Sequence, residues 1–329
     1  MKIFFVILIL VNIIFGDTNL KIATYNVENL FDLKKSGHEY KEYIPYTYSN
    51  WNDKTYNTKL NNLTKVIKDI NADIIALQEI ESLQALKDLR LKLQKSGLYY
   101  QYYKIANRKN TTIKVALLSK IPFQYAKEVF VTSSYKYRNI LEVKFSINNQ
   151  NLYLFINHWK SKSGPESKRI VSAKYLRQRI KEIGVNKNII LLGDFNSDYE
   201  EYLKFKRKRR HNNTNGKTGL NHVLRSINKD NQLFYNLWYD IDEKERWTYI
   251  FRGKKEALDN ILITKPLQNN KDIYYKPLSI TSYKPSYLLK GKNIYRWKTT
   301  WKKPRKHKGK GYSDHLAVIA EFVVEKVTN

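Results

Sequence analysis

The chain contains no cysteine among its 329 residues. Disulfides, thiolate catalysis and cysteine-ligated zinc are thereby excluded. Acidic residues are scarce: 30 Asp and Glu stand against 60 Lys and Arg, a formal charge of +30. Codon bias accounts for many lysines but not for their clustering, and a field of this size favours a polyanionic partner. No internal repeat and no Pro/Gly/Ser linker interrupts the chain, which reads as one domain from about residue 19 to the end. After the N-terminus no apolar run reaches the ~20 residues of a membrane span. A Walker-type phosphate loop is also missing, because "NGKTG" (215–219) would need glycine where His211 stands.

What is present begins with "MKIFFVILILVNIIFG". Lys2 precedes an apolar stretch over residues 3–15 broken only by Asn12, and Gly16 offers a small residue for cleavage. This pattern predicts a secretory signal over residues 1–18, with an uncleaved anchor as the alternative. The mature protein is therefore expected to be secreted or periplasmic, monomeric, and without stable membrane association.

Hydrophobic residues make up 42%, enough for a sizeable core. Short apolar strands are predicted at 21–27, 72–80, 99–105, 113–119, 139–147, 151–157, 188–196, 259–264 and 315–324. Helices are predicted where Leu60, Leu63, Ile67 and Ile70 recur at helical spacing, in the segment stopped by Gly97, and over 167–184 with Gly184 past its end. Early alternation of strands and helices, with consecutive strands in the middle, predicts an α/β sandwich of mixed sheets with helices outside. Three stretches read as insertions: Tyr/Asn-rich 32–58, basic 204–222, and 284–311, which holds eleven Lys/Arg and no acid.

Polar residues recur at one end of these apolar strands. Asn26, Glu79, His158, Asp194 and Asn196 follow their strands, whereas Asp259 and the pair Asp314-His315 precede theirs. If the last two strands run antiparallel to the others, all these residues meet at one edge. Glu79 with Asn26 and Asp314 offers hard oxygen ligands suited to Mg²⁺, with Mn²⁺ or Ca²⁺ as alternatives. Asp259 is placed to fix the tautomer of His315. Asp194 is assigned to orient or deprotonate a water, and His158 to act as an acid or bind a phosphate oxygen.

The motifs "TYNVENLF", "ALQEIE", "NHWKSKSG", "LLGDFNSD", "LDNIL" and "YSDHLAV" together resemble the endonuclease/exonuclease/phosphatase family over about residues 21–322. The resemblance implies a four-layer α/β sandwich with two central mixed β-sheets. It also implies Mg²⁺-dependent phosphoester hydrolysis at Asn26, Glu79, Asp194, Asn196, Asp259, Asp314 and His315. His158 matches the deoxyribonuclease-like branch, and "YRNILEVKF" resembles the segment whose arginine contacts phosphate, which makes Arg138 a transition-state cation. "YNVENLF" with "NHWKSKSG" resembles secreted bacterial nucleases and implies that Lys160 and Lys162 bind phosphate. Glu81 departs from the pattern, since pancreatic deoxyribonuclease has arginine there.

The expected function is a secreted, divalent-metal-dependent nuclease that cuts DNA with little sequence preference. Lys206, Arg207, Lys208, Arg209 and Arg210 in one insertion, and Lys302, Lys303 and Arg305 in the other, are expected to grip the nucleic acid backbone. Trp297 and Trp301, within the second insertion, are candidates for stacking on bases. The alternatives are a sphingomyelinase or phosphoinositide phosphatase of the same fold, or a toxin-type nuclease subunit for which "KRKRR" would serve nuclear entry. His38, His211, His222 and His307 are expected on loops or the surface.

Overall fold

The computed structural model describes residues 18–108, 111–134, 136–205, 211–227 and 231–325. All of the expected signal segment except Thr18 lies outside these residues, as do Lys206, Arg207, Lys208, Arg209 and Arg210. Among the described residues no helix is long and apolar enough to cross a membrane.

The strands are β1 (Thr18–Leu30), β2 (Ile74–Ile80), β3 (Tyr102–Ile105), β4 (Lys114–Ser119), β5 (Tyr125–Val129), β6 (Ile140–Ile147), β7 (Gln150–His158), β8 (Asn188–Asp194), β9 (Phe234–Asn236), β10 (Tyr249–Phe251), β11 (Lys254–Glu256), β12 (Asp259–Thr264), β13 (Ile273–Tyr275), β14 (Thr281–Ser282), β15 (Leu289–Lys290), β16 (Asn293–Ile294) and β17 (Val318–Val324). The longer helices are α1 (Asp53–Ile70), α2 (Leu83–Lys95) and α3 (Ser167–Ile183).

Two large mixed sheets result. The first runs β13-β17-β1-β2-β4-β3, with β14 also on β17, and the second runs β5-β6-β7-β8-β12-β9. Alternation along each strand sends side chains to opposite faces. On β8, Ile190 and Leu192 enter the core between the sheets, while Ile189 and Leu191 face the layer that holds α3. On β1, Ile22 enters the core between the sheets and Ala23 and Tyr25 face α1 and α2. The expected four-layer α/β sandwich is therefore the fold observed.

Local chemistry explains the helix ends. Asn52 and Thr55 form a reciprocal capping box at the start of α1, and Asn71 ends it in the left-handed region. The Ser82 side chain caps α2. The backbone N–H of Gly184 closes α3 onto the Ile180 carbonyl. The short strands β5, β9–β11 and β13–β16 were not legible in the sequence, because two- to five-residue segments carry too little alternation.

Candidate active site

Register assembles the site. β7 runs parallel to β8 and pairs His158 with Asp194, while β12 runs antiparallel to β8 and pairs Asp259 with Asp194. His158, Asp194 and Asp259 thus stand in one row across the end of the second sheet. β17 is antiparallel to β1, so the chain enters it from the same edge, bringing Asp314 and His315 to that row. Both late strands have the expected direction.

Gly193 permits the tight row. Its φ is +130°, and a Cβ there would fall inside the Asn157 carbonyl oxygen. Glu79 enters from the first sheet through a bulge. The ladders on both sides of β2 shift register between Gln78 and Ile80, and Glu79 has φ +68°. A left-handed non-glycine residue at a bulge aims its side chain out of the regular pleat.

The bonds from Asn26 to Asp194 and from His315 to Asp259 join the sheets. The Asn26 amide nitrogen donates to Glu79 Oε1 at 3.2 Å and to Asp194 Oδ2 at 3.0 Å. His315 Nδ1 donates to Asp259 Oδ2 at 2.7 Å. Asp259 Oδ2 also accepts the Thr248 hydroxyl at 2.6 Å. Ser313 further ties the Asp314-His315 segment to β1 by donating to the Asn26 carbonyl at 2.6 Å. The Tyr249 ring lies 4.8 Å from the His315 ring, centroid to centroid.

The electrostatics separate the roles. Burial pushes the His315 imidazole down, but the Asp259, Asp194 and Asp314 carboxylates outweigh it and leave it held well above its ordinary range, as an imidazolium. Burial, with Arg138, His315 and Lys160 nearby, pushes His158 well below its ordinary range. His158 is therefore held as a neutral imidazole, which of its two expected roles favours supplying an N–H to a phosphate oxygen over acting as an acid. Burial raises Asp194 to about 7, with His315 opposing the shift and Asp259 and Glu79 reinforcing it.

Other expected residues fall as follows. Asn196 orients Asp194, its backbone N–H donating to Oδ1 at 2.8 Å and its amide to Oδ2 at 3.2 Å. Arg138 lines the cleft and donates to the Trp159 carbonyl at 3.2 Å. Lys160 is depressed by burial and by Arg138, Lys168 and Lys136, the signature of clustered cations. Lys162 is corrected: its ammonium lies 2.5 Å from Glu201 and 2.8 Å from Glu256, so its charge is already spent on two carboxylates. Asn26, expected as an oxygen ligand, is engaged at both ends of its amide. Its Oδ1 accepts the Glu28 N–H at 3.0 Å, and its amide nitrogen bridges two acids. Lys302, Lys303 and Arg305 are exposed on the second basic insertion. His307, expected at the surface, is 3% exposed, and Trp297 is buried as well.

Sequence reasoning missed Arg296, Thr248, Tyr249 and Ser313. Arg296 pairs with Glu28 and reaches Asp314 Oδ2 at 3.0 Å, so the basic insertion is clamped directly to the site. Only Ser313 had a local signal, its place inside "YSDH".

Glu79, Arg138, His158, Asp194, Asp314 and His315 line a cleft of about 700 Å³. Asp194, Asp259 and His315 hold potential ligand atoms within 4.8 Å of one another, but His315 as an imidazolium has no lone pair to give a metal ion. In that group Asp259 is already committed to His315 and Thr248. Glu79, raised by burial and by the neighbouring charge of Asp314, provides with Asp314 a second set of hard oxygens. Two such carboxylates at a cleft floor fit a divalent cation by charge and donor type.

The sequence profile described as the Endonuclease/Exonuclease/phosphatase family matches residues 21–325. No curated protein matches the chain in sequence. Among solved structures, D. rerio TDP2 complexed with single strand DNA product is 15% identical, with a TM-score of 0.59 over 93% of this chain and 99% of that one. The Bacteroides thetaiotaomicron mannosyl-6-phosphatase Bt3783 is 13% identical, with a TM-score of 0.57 over 92% of this chain and 99% of that one. TDP2 from Caenorhabditis elegans is 16% identical, with a TM-score of 0.57 over 92% of this chain and 75% of that one. At these identities the structural likeness speaks to fold, and the profile match over nearly the whole chain shows that it belongs to the endonuclease/exonuclease/phosphatase family.

Proposed function

We propose that the protein is a secreted, Mg²⁺-dependent nuclease that hydrolyses DNA phosphodiester bonds with little sequence preference. The observation that carries this reading is the row His158–Asp194–Asp259, closed by His315, at a cleft lined by Arg138, with the Lys160 charge near His158. The charge of +30 supports a nucleic acid partner.

Asp194 is the proposed base. It takes a proton from a water that attacks phosphorus, and the bond to the departing oxygen breaks as the new P–O bond forms. His315, kept protonated by Asp259, and Arg138 stabilise charge on the pentacovalent phosphate. His158 donates its N–H to a phosphate oxygen. Glu79 and Asp314 would hold the cation, and Asn26 orients Glu79. When bound, Mg²⁺ would draw charge from the phosphate and the departing oxygen. The apolar N-terminus supports export.

The test is supercoiled plasmid with the purified protein and Mg²⁺, alongside an excess-chelator control and a His315→Ala protein. Conversion to nicked, linear and short forms, lost in both controls, is the expected result. Plasmid that is shifted on the gel but remains intact would refute the reading.

A further inference from the structure

A second cavity of about 540 Å³ adjoins the active-site cleft, and Asn29 lines both. Its wall is the 284–311 segment folded back on itself. The β15–β16 hairpin, a Thr299–His307 bridge and a Lys298 N–H to Lys310 carbonyl bond brace that fold. His307 anchors it from within. Its backbone N–H donates to the Ser49 carbonyl at 2.7 Å, its Nδ1 accepts from Trp297 Nε1 at 2.8 Å, and its Nε2 donates to the Glu42 carbonyl at 2.8 Å. Gly311 allows the close return, since a Cβ there would fall inside the Arg296 carbonyl oxygen.

Lys298, Arg305, Lys308 and Lys310 line this cavity. Among the described residues none of the four has a carboxylate in ion-pair range. Two acids share the wall, Glu28 and Glu42, and Glu28 is already held by Arg296. Trp301 also lines the cavity, and it is 97% exposed while Trp297, four residues earlier, is 3% exposed. The scaffold thus buries one indole and holds the other in water beside unpaired cations.

We infer that this cavity is a subsite for single-stranded nucleic acid, with phosphates along Lys298, Arg305, Lys308 and Lys310 and one unpaired base stacked on Trp301. The inference rests on the nuclease reading and deepens it by naming the substrate class. Base faces are free to stack only where strands are unpaired, and aromatic platforms beside cationic grooves serve that purpose. A bilayer anchor would need further apolar side chains at the rim. Here Lys302, Lys303 and Arg305 follow the indole within four residues, and all are exposed.

The experiment measures anisotropy of a labelled single strand of about 12 nucleotides, and of its duplex, with the full chain in excess chelator. Wild type, Trp301→Ala and Trp301→Phe are compared, and wild-type plasmid cleavage with Mg²⁺ is run in parallel. The expected result is tighter binding of the single strand than of the duplex. Trp301→Ala weakens the single strand by about 5- to 150-fold, Trp301→Phe recovers part of this, and the duplex is little affected. Equal effects on both forms, no effect, or a wild-type preference for duplex would overturn the inference. Plasmid cleavage would then leave the nuclease reading standing. Failure to bind or cut any nucleic acid, with Trp301-dependent binding to phosphatidylserine vesicles, would overturn both.

Discussion

Asp259→Asn isolates the electrostatics of the site without changing its shape. Asp259 Oδ2 accepts from His315 Nδ1 at 2.7 Å and from the Thr248 hydroxyl at 2.6 Å. The amide keeps one acceptor oxygen, which Thr248 retains, and turns an N–H₂ group toward the imidazole. His315 must then present a bare Nδ1, and the carboxylate that holds it protonated is gone. An opposite charge this close favours the charged form by about 1–3 pKa units, and each unit is worth about 1.4 kcal/mol. That loss alone predicts a fall of about 10- to 10³-fold in kcat, and the wrong tautomer extends it toward about 10⁴-fold. Turnover of plasmid or oligonucleotide reads the rate, and ¹⁵N-detected NMR of the imidazole reads its protonation. A variant within about tenfold of wild type, or one whose His315 still titrates far above the ordinary range, would refute the reasoning.

The same geometry sets further outcomes. Excess chelator should abolish hydrolysis, and Mg²⁺ should raise the thermal midpoint by an amount equivalent to about 2.7 kcal/mol at a hundredfold excess over Kd. Glu79→Gln should lose both effects in calorimetry and turnover. Asp194 is raised to about 7, so it is protonated below that pH and cannot accept a proton from water. Activity should rise with pH through neutrality, and a rate flat from acid to neutral pH would remove Asp194 as the base. Gly193→Ala should destabilise by at least about 2 kcal/mol in urea titration, because its Cβ meets the Asn157 carbonyl at a positive φ.

Much of the fold could be read locally. Apolar alternation located β1, β2, β7, β8 and β12, since a strand inside a sandwich must be apolar on both faces or on every second residue. Caps at Asn52 and Ser82 explain where α1 and α2 begin. The polar residues closing those strands were visible for the same reason. Asp194 and Asp259 interrupt apolar runs that would otherwise continue, and the opposite polarity of the late strands foretold that they turn back. Periodicity did not distinguish the short strands β13–β16, nor did it show that the 284–311 segment folds onto itself.

The sequence by itself determined the types of chemistry available: carboxylates and imidazoles at strand ends, no thiols, and a large excess of cations. The tertiary structure alone decided which of these groups act on one another. The bulge that turns Glu79 into the cleft, the Asn26 amide between two acids, and the Arg296 clamp on Asp314 all join positions far apart in the chain. So does the consumption of Lys162 by Glu201 and Glu256, which made a phosphate ligand into an internal ion pair. The same holds for Trp297 and Trp301, near-neighbours in one basic loop, one buried and one in water. Strand pattern is set by neighbours within a few residues, whereas a side chain's charge state and partner are set by whatever the packed sheets bring within a few ångströms.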